Sequence, residues 1–293
     1  MRRQPVIWAS LKAFRSLCRA LPHSAALSVG ASLGRAVGRL SRKRFQKTRA
    51  RCARVLGVDS ADAGRVVSGA YDHFGRCLAE FLRLPLMADR LTDIVDLDGA
   101  EFLREALGLG RGVIFLSAHI GNWEYGAALM ARMGFPMNAI GAGQRDPRIT
   151  DAIADTRRSV GVNHVSKGLG LKAALSCLRR GEVLCVLMDQ DARDSGVVSP
   201  FLGVPASTPV GPIKLAGKFG APVLPARIIR RPDGGRFSMT IYPPLEGRDG
   251  EPFGADIQHA ADRCNEVISS WIRETPEQWM WMYPRWASTT GDR

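Results

Sequence analysis

The chain has 293 residues, 45% of them hydrophobic and 24% charged, with a formal net charge of +13 and a pI near 10.1. That length suffices for one large α/β domain burying roughly 75% of its unfolded surface, with no need of disulfide staples. The six cysteines, Cys18, Cys52, Cys77, Cys177, Cys185 and Cys264, form no Cys-x-x-Cys pair. This pattern argues against a zinc or disulfide framework and for reduced, mostly buried thiols in the cytoplasm.

The positive charge is concentrated at the start. Fourteen Lys and Arg residues precede Asp59 and no acid does, so 27 of the 41 basic residues are left to face all 28 acids. Within this first fifth, Ile7, Leu11, Phe14, Leu17, Cys18 and Leu21 recur at helical spacing, with Lys12, Arg15 and Arg19 on the other side. The spacing predicts a basic amphipathic helix. The stretch from Ala20 to Gly34 lacks charged residues but contains Pro22 and several serines, and it falls short of the roughly 20 apolar residues of a spanning helix. It also lacks the pattern of a secretory signal. Residues 1–58 therefore read as a membrane-associating arm that lies on a surface, each Lys or Arg contributing about 1 kcal/mol against anionic lipid. The competing reading is a solvated basic tail or a nucleic-acid contact. Gly30-Ala31-Ser32-Leu33-Gly34 matches a serine-hydrolase elbow, but no strand precedes it.

Residues 59–293 read as the α/β domain. From 59 to 110 the pattern is helical, with Val66, Val67, Ala70, Phe74, Cys77, Leu78, Phe81 and Leu82 forming a core-facing stripe. Strand patterns then cover 113–117, 137–140, 162–165, 183–188, 223–229 and 237–242. Helical intervals lie near 124–132, 150–159, 171–179 and 211–219, and a long helix over 256–274 follows a hairpin turn at Pro232-Asp233-Gly234-Gly235. The alternation predicts a mixed, mostly parallel sheet wrapped by helices.

The first of these strands, Val113–Ser117, leads into Ala118-His119-Ile120-Gly121-Asn122-Trp123-Glu124. His119 thus lies at a strand's carboxyl end, where open α/β sheets place ligands. Residues five apart on one helix diverge, so a contact between His119 and Glu124 requires His119 in the loop and Glu124 in the helix's first turn. A carboxylate on one imidazole nitrogen leaves the other as a base near neutral pH. The amides of Ile120 to Trp123 are candidates for an oxyanion site.

This Ser-Ala-His-Ile-Gly-Asn-Trp-Glu segment, a histidine and an acid separated by four residues, resembles the signature of the bacterial lipid A biosynthesis acyltransferases, relatives of the glycerolipid acyltransferases. The resemblance runs from about Arg49 to Trp286. It includes Arg145-Asp146-Pro147 with Arg157, Asp189-Gln190-Asp191, Phe201 to Pro209, and a terminal motif from Pro276 to Trp286 in which Tyr283 replaces an expected histidine. The resemblance implies a glycerolipid-acyltransferase-like fold and an enzyme moving a fatty acyl chain from acyl carrier protein, or coenzyme A, to a hydroxyl of a lipid A precursor at the cytoplasmic face of the inner membrane. It implies His119 as base with Glu124 orienting it, Arg157 and Arg145 toward an anionic substrate, Asp189 and Asp191 shaping the site, and the loop around Gly203 walling the acyl chain. No cofactor and no metal are expected, since acyl transfer from a thioester requires neither.

Other readings are a different glycolipid or lysophospholipid acceptor, or a non-catalytic membrane adaptor. Gly168-Leu169-Gly170-Leu171-Lys172-Ala173 followed by Asp189 also matches a dinucleotide fingerprint, though the preceding strand is short and that reading leaves His119 and Glu124 without a task.

Overall fold

A computed structural model describes residues 4–166 and 170–291. Three helices come first, α1 (Gln4–Ala20), α2 (His23–Leu40) and α3 (Arg42–Leu56), followed by the 28-residue α4 (Ser60–Met87). Asp59 caps α4 by accepting from the amides of Ala61 and Asp62. Then come α5 (Leu91–Ile94), β1 (Val95–Asp98), α6 (Ala100–Gly108), β2 (Val113–Ser117), α7 (Trp123–Arg132) and β3 (Met137–Gly141). Next are α8 (Pro147–Arg158), β4 (Asn163–Ser166), α9 (Gly170–Arg179) and β5 (Val183–Leu187). The chain continues through β6 (Gly196–Phe201), β7 (Val204–Pro209), α10 (Gly211–Phe219), β8 (Val223–Arg230) and β9 (Phe237–Ile241). It ends in α11 (Ile257–Glu274) and α12 (Ala287–Thr290).

Seven strands form one sheet in the order β1-β9-β8-β2-β5-β3-β4. Every neighbouring pair is parallel except the β8–β9 hairpin, which turns at the anticipated Pro-Asp-Gly-Gly. The sheet is therefore mixed and mostly parallel. Strand β2 lies near its middle, between β8 and β5, and Val113 to Leu116 are buried. Its continuous apolar run follows from being covered on both faces. One face packs Ile114 and Leu116 into a core shared with α11 and the C-terminal tryptophans, while the other packs Phe115 with Tyr125 and Leu129 of α7.

Two stretches differ from expectation. Residues 59–110 are not helical throughout, because β1 lies within them and pairs with β9. Its sequence Val-Asp-Leu-Asp is too short and acidic to show a strand pattern, and its residues 96 and 98 are exposed. The Phe201–Pro209 segment is likewise no simple loop but the turn and second strand of the antiparallel β6–β7 hairpin.

The N-terminal helices pack along α4. Gly30 and Gly34 of α2 approach its backbone so closely that a Cβ on Gly34 would stand 2.0 Å from the Tyr71 carbonyl oxygen, and one on Gly75 would stand 2.1 Å from that of Gly30. The Gly-x-Ser-x-Gly match is thus a helix-crossing seam. On α1, buried Cys18 packs with Ala79 and Leu82, and Leu11, Phe14 and Leu21 lie against them. The Arg83 guanidinium of α4 donates to the carbonyls of Cys18 and Leu21.

Candidate active site

The turn after β2 is fixed by contacts on every side. Gly121 has φ +57°, and a Cβ there would lie 1.6 Å from the Ile228 carbonyl oxygen, so only glycine fits. Asn122 caps α7 by accepting from the Tyr125 amide at 3.1 Å, while its own amide group donates to buried Glu80 at 2.8 Å. Glu80 is in turn paired with Arg230, at 2.8 Å for Nη1. Behind the turn, His73 Nε2 meets the Gly121 carbonyl at 3.0 Å. Burial holds the His73 imidazole down to about 3, so it is neutral and donates from Nε2.

His119 is held in front of this frame. Its Nδ1 lies 2.8 Å from Oδ1 of Asp189, and its main-chain amide donates to Oδ2 of the same carboxylate at 2.8 Å. Asp189 follows β5, the strand beside β2, and is almost fully buried. Burial alone would raise its carboxyl, but the His119 charge and the N–H donors around it outweigh that and hold it below the usual range. An ionised carboxylate only accepts, so Nδ1 carries the proton toward it and Nε2 is left with its lone pair available to accept one. The Trp123 ring stands edge-on to the imidazole, with centroids 5.1 Å apart.

Glu124 is engaged elsewhere, and this corrects the expected contact. Its carboxylate forms a two-point pair with Arg157, at 3.0 Å from Nε and 2.6 Å from Nη2, and accepts from the Trp123 indole at 3.1 Å. Burial works against the Arg157 charge, yet Glu124's attraction and hydrogen bonds prevail and raise its pKa. Arg157 Nη1 also lies 2.9 Å from His164 Nδ1. Glu124 and Arg157, both single-residue expectations, are therefore brought together, but as a largely buried ion pair flanking Trp123. Asp189 meets His119 because β2 and β5 are neighbours in the sheet, though their first positions, Val113 and Val183, are 70 apart in sequence.

A narrow apolar pocket runs between α7 and the sheet. Phe115, Ala139, Cys185, Ala226, Ile228 and Met239 line it, and Ser117, Trp123, Glu124 and Arg157 stand at its polar end. Its volume is about 50 Å³ and its walls are mostly apolar.

The sequence description of the bacterial lipid A biosynthesis acyltransferases matches residues 1–288. The chain belongs to that family. It is an acyltransferase, as are its relatives. The phosphatidylinositol mannoside acyltransferase of Mycobacterium tuberculosis (strain CDC 1551 / Oshkosh) is 29% identical over 249 residues, covering 82% of this chain and 77% of that one. The protein of the same name from Mycolicibacterium smegmatis is 26% identical over 282 residues, 94% of this chain and 90% of its own. The lipid A biosynthesis lauroyltransferase of Escherichia coli (strain K12) is 28% identical over 202 residues, 67% of this chain and 62% of its own.

The acyltransferase places its remaining expected residues as follows. Asp191 caps the turn at Arg193 and accepts from the amide and hydroxyl of Ser288, away from the imidazole. Arg145 is exposed just ahead of α8, which Asp146 caps and Pro147 opens. Gly203 sits exposed in the β6–β7 turn with φ +84°, and its neighbours Phe201 and Leu202 are buried against α11 and the C-terminal tryptophans. Phe201 stacks near Trp279 and Trp286, so this loop does not wall the pocket. Of the candidate oxyanion amides, that of Gly121 already donates to the Gln278 carbonyl. In the dinucleotide-like motif, Gly168 and Leu169 lie outside the described residues, and Asp189 serves His119. Among the described residues no three of His, Cys, Asp and Glu gather as a metal site. All six thiols are free, and burial pushes Cys52, Cys77, Cys177, Cys185 and Cys264 up to about 12, leaving them unreactive.

Proposed function

We propose that the acyltransferase moves a fatty acyl chain from an acyl carrier protein thioester to a sugar hydroxyl of a lipid A precursor, with His119 as general base. The observation that carries this is the His119–Asp189 pair standing beside an apolar pocket. The acceptor oxygen attacks the thioester carbonyl as its proton passes to His119 Nε2, and the Asp189 carboxylate stabilises the imidazolium that forms. Collapse of the tetrahedral adduct breaks the C–S bond, and His119 returns the proton to the departing thiolate. No covalent enzyme intermediate and no cofactor enter. Arg157 and Glu124 hold Trp123 at the pocket's polar end, which brings the thioester carbonyl to the imidazole while the chain lies under α7.

The N-terminal helices support action at an anionic membrane surface. Leu33, Val37 and Leu40 of α2 are exposed on one helical face beside Arg39, Arg42 and Lys43, and Val6, Ile7 and Leu17 of α1 are exposed as well. No helix among the described residues is long and apolar enough to cross a membrane.

A second acceptor, a phosphatidylinositol mannoside, is favoured by the alignments covering 82% and 94% of this chain. The deciding experiment incubates wild type and His119→Ala with acyl-acyl carrier protein and with acyl-coenzyme A, against lipid A precursors, phosphatidylinositol mannosides and lysophospholipids, and reads products by mass spectrometry. One acyl addition to a lipid A precursor, absent in the variant, is the expected result. Addition to mannosides alone replaces the acceptor, and activity surviving in His119→Ala removes the base.

A further inference from the structure

The terminal motif is unaccounted for by this chemistry, yet its residues 278–280 lie directly on the turn that carries His119. The Met280 amide donates to the His119 carbonyl at 3.1 Å, the Gly121 amide to the Gln278 carbonyl at 3.0 Å, and Ile120 forms an antiparallel bridge with Trp279. Residues 278–280 are in effect an extra strand laid on the turn that carries the base. From this strand the Trp279 indole Nε1 donates to Oδ2 of Asp189 at 2.8 Å, the oxygen that also accepts from the His119 amide. Trp279 is 1% exposed and is boxed in by Phe201, Trp281 and Trp286, so its donor is immobile.

We propose that Trp279 is a positioning residue of acyl transfer: its indole N–H fixes the Asp189 carboxylate in the orientation that directs His119 Nε2 toward the acceptor and tempers the charge the imidazole feels. The proposal rests on the reading of His119 as the base. Two donors on Oδ2 leave Oδ1 to face Nδ1, so the carboxylate cannot rotate without breaking both. They also disperse its negative charge, and removing one strengthens the carboxylate's hold on an imidazolium. Another charged group facing the pair is Arg285 from the C-terminal segment, which Asp191 after β5 also reaches. The Glu124–Arg157 pair of α7 and α8 lies on the Trp123 side, and His73, Glu80 and Arg230 stand behind the turn. None of these is altered by a change at the indole nitrogen.

Trp281 supplies the control. It is buried in the same aromatic cluster, and its indole donates to the Pro276 carbonyl at 2.8 Å, away from Asp189. The experiment replaces each tryptophan singly with benzothienylalanine, which keeps the ring shape and deletes the N–H, and adds Trp279→Phe and His119→Ala. Turnover of palmitoyl-coenzyme A and palmitoyl-acyl carrier protein with a lipid A precursor or a phosphatidylinositol mannoside is followed across pH, and the His119 ring is titrated by 15N NMR without substrate. The replacement at 279 is expected to lower kcat roughly ten- to hundred-fold with KM little changed. It is also expected to move the acidic limb of the rate profile and the ring titration to higher pH. The replacement at 281 leaves both in place. Equal effects at the two positions, or an unmoved titration at 279, overturn the positioning role while His119→Ala remains inactive. Activity retained in His119→Ala overturns the base itself and this role with it.

Discussion

At the residue scale, two carboxylates compete for the role of orienting His119, and the structure separates them by what each one touches. Asp189→Asn keeps the shape of the buried site but no longer enforces a protonated Nδ1, so kcat is expected to fall by about 10²- to 10⁴-fold with the melting temperature nearly preserved. Glu124→Ala instead strands a largely buried Arg157, and its expected signature is a loss of about 3 kcal/mol in denaturant titrations. The same rates and titrations, run side by side on both variants, check the assignment. His73 adds a pH dependence of stability. Its imidazole is held down to about 3 when folded and titrates near 6.5 when unfolded, so the unfolded chain binds the extra proton between those values. Stability is then full above about 6.5 and falls with decreasing pH, by up to ~1.4 kcal/mol per unit, until about 3. His73→Gln keeps a donor for the Gly121 carbonyl and removes the titration, so its stability measured from pH 7 to 5 should show a correspondingly flatter slope. The position of His119 was legible in the sequence because a histidine directly after an apolar strand marks a sheet's carboxyl edge. Its partner was not, because nothing within one strand reports which distant strand will lie beside it, and the nearest acid in sequence was Glu124.

At the scale of elements, strands with uninterrupted apolar runs were readable to within a residue or two, as β2 and β5 show. Those at the margins were not. Strand β1 alternates two aspartates with its apolar residues, and Asp96 spends its charge on Arg231 and Arg236. Hairpin β6–β7 carries Pro200, Pro205 and Pro209, residues that a paired strand tolerates mainly at an edge. Helix α8 begins three residues earlier than its apolar pattern because Asp146 caps it and Pro147 fits its first position. The seam between α2 and α4 was invisible for a different reason: glycine at four-residue intervals looks like weak helix until the partner backbone is known. Gly34→Ala improves intrinsic helix propensity by up to ~1 kcal/mol, but it drives a methyl into the Tyr71 carbonyl. A net loss of about 1–3 kcal/mol is expected in thermal or chemical unfolding, with α1 and α2 becoming sensitive to limited proteolysis.

At the scale of the whole molecule, the uneven charge of the sequence becomes a sided object. Residues 4–56 of this acid-free start fold into helices whose apolar side is divided between α4 and the exterior. Deleting α1 therefore exposes Ala79 and Leu82 as well as removing charge, and the cleaner test of surface attachment lies on α2. Replacing Leu33, Val37 and Leu40 together with Gln is expected to weaken sedimentation with anionic phospholipid vesicles by roughly 100-fold, about 3 kcal/mol. Raised salt should release wild type through the arginines and lysines beside them, and unchanged sedimentation under both treatments would sink the attachment. The order of residues along the chain has a consequence of another kind. His119 and Asp189 are both translated well before residues 278–280 exist, so a ribosome that has reached Glu274 has made the histidine and its carboxylate partner but not the strand that lies on their turn. A chain ending at Glu274 therefore leaves the Gly121 amide without the Gln278 carbonyl and the Asp189 carboxylate without the Trp279 indole, two partners that only the segment after α11 supplies.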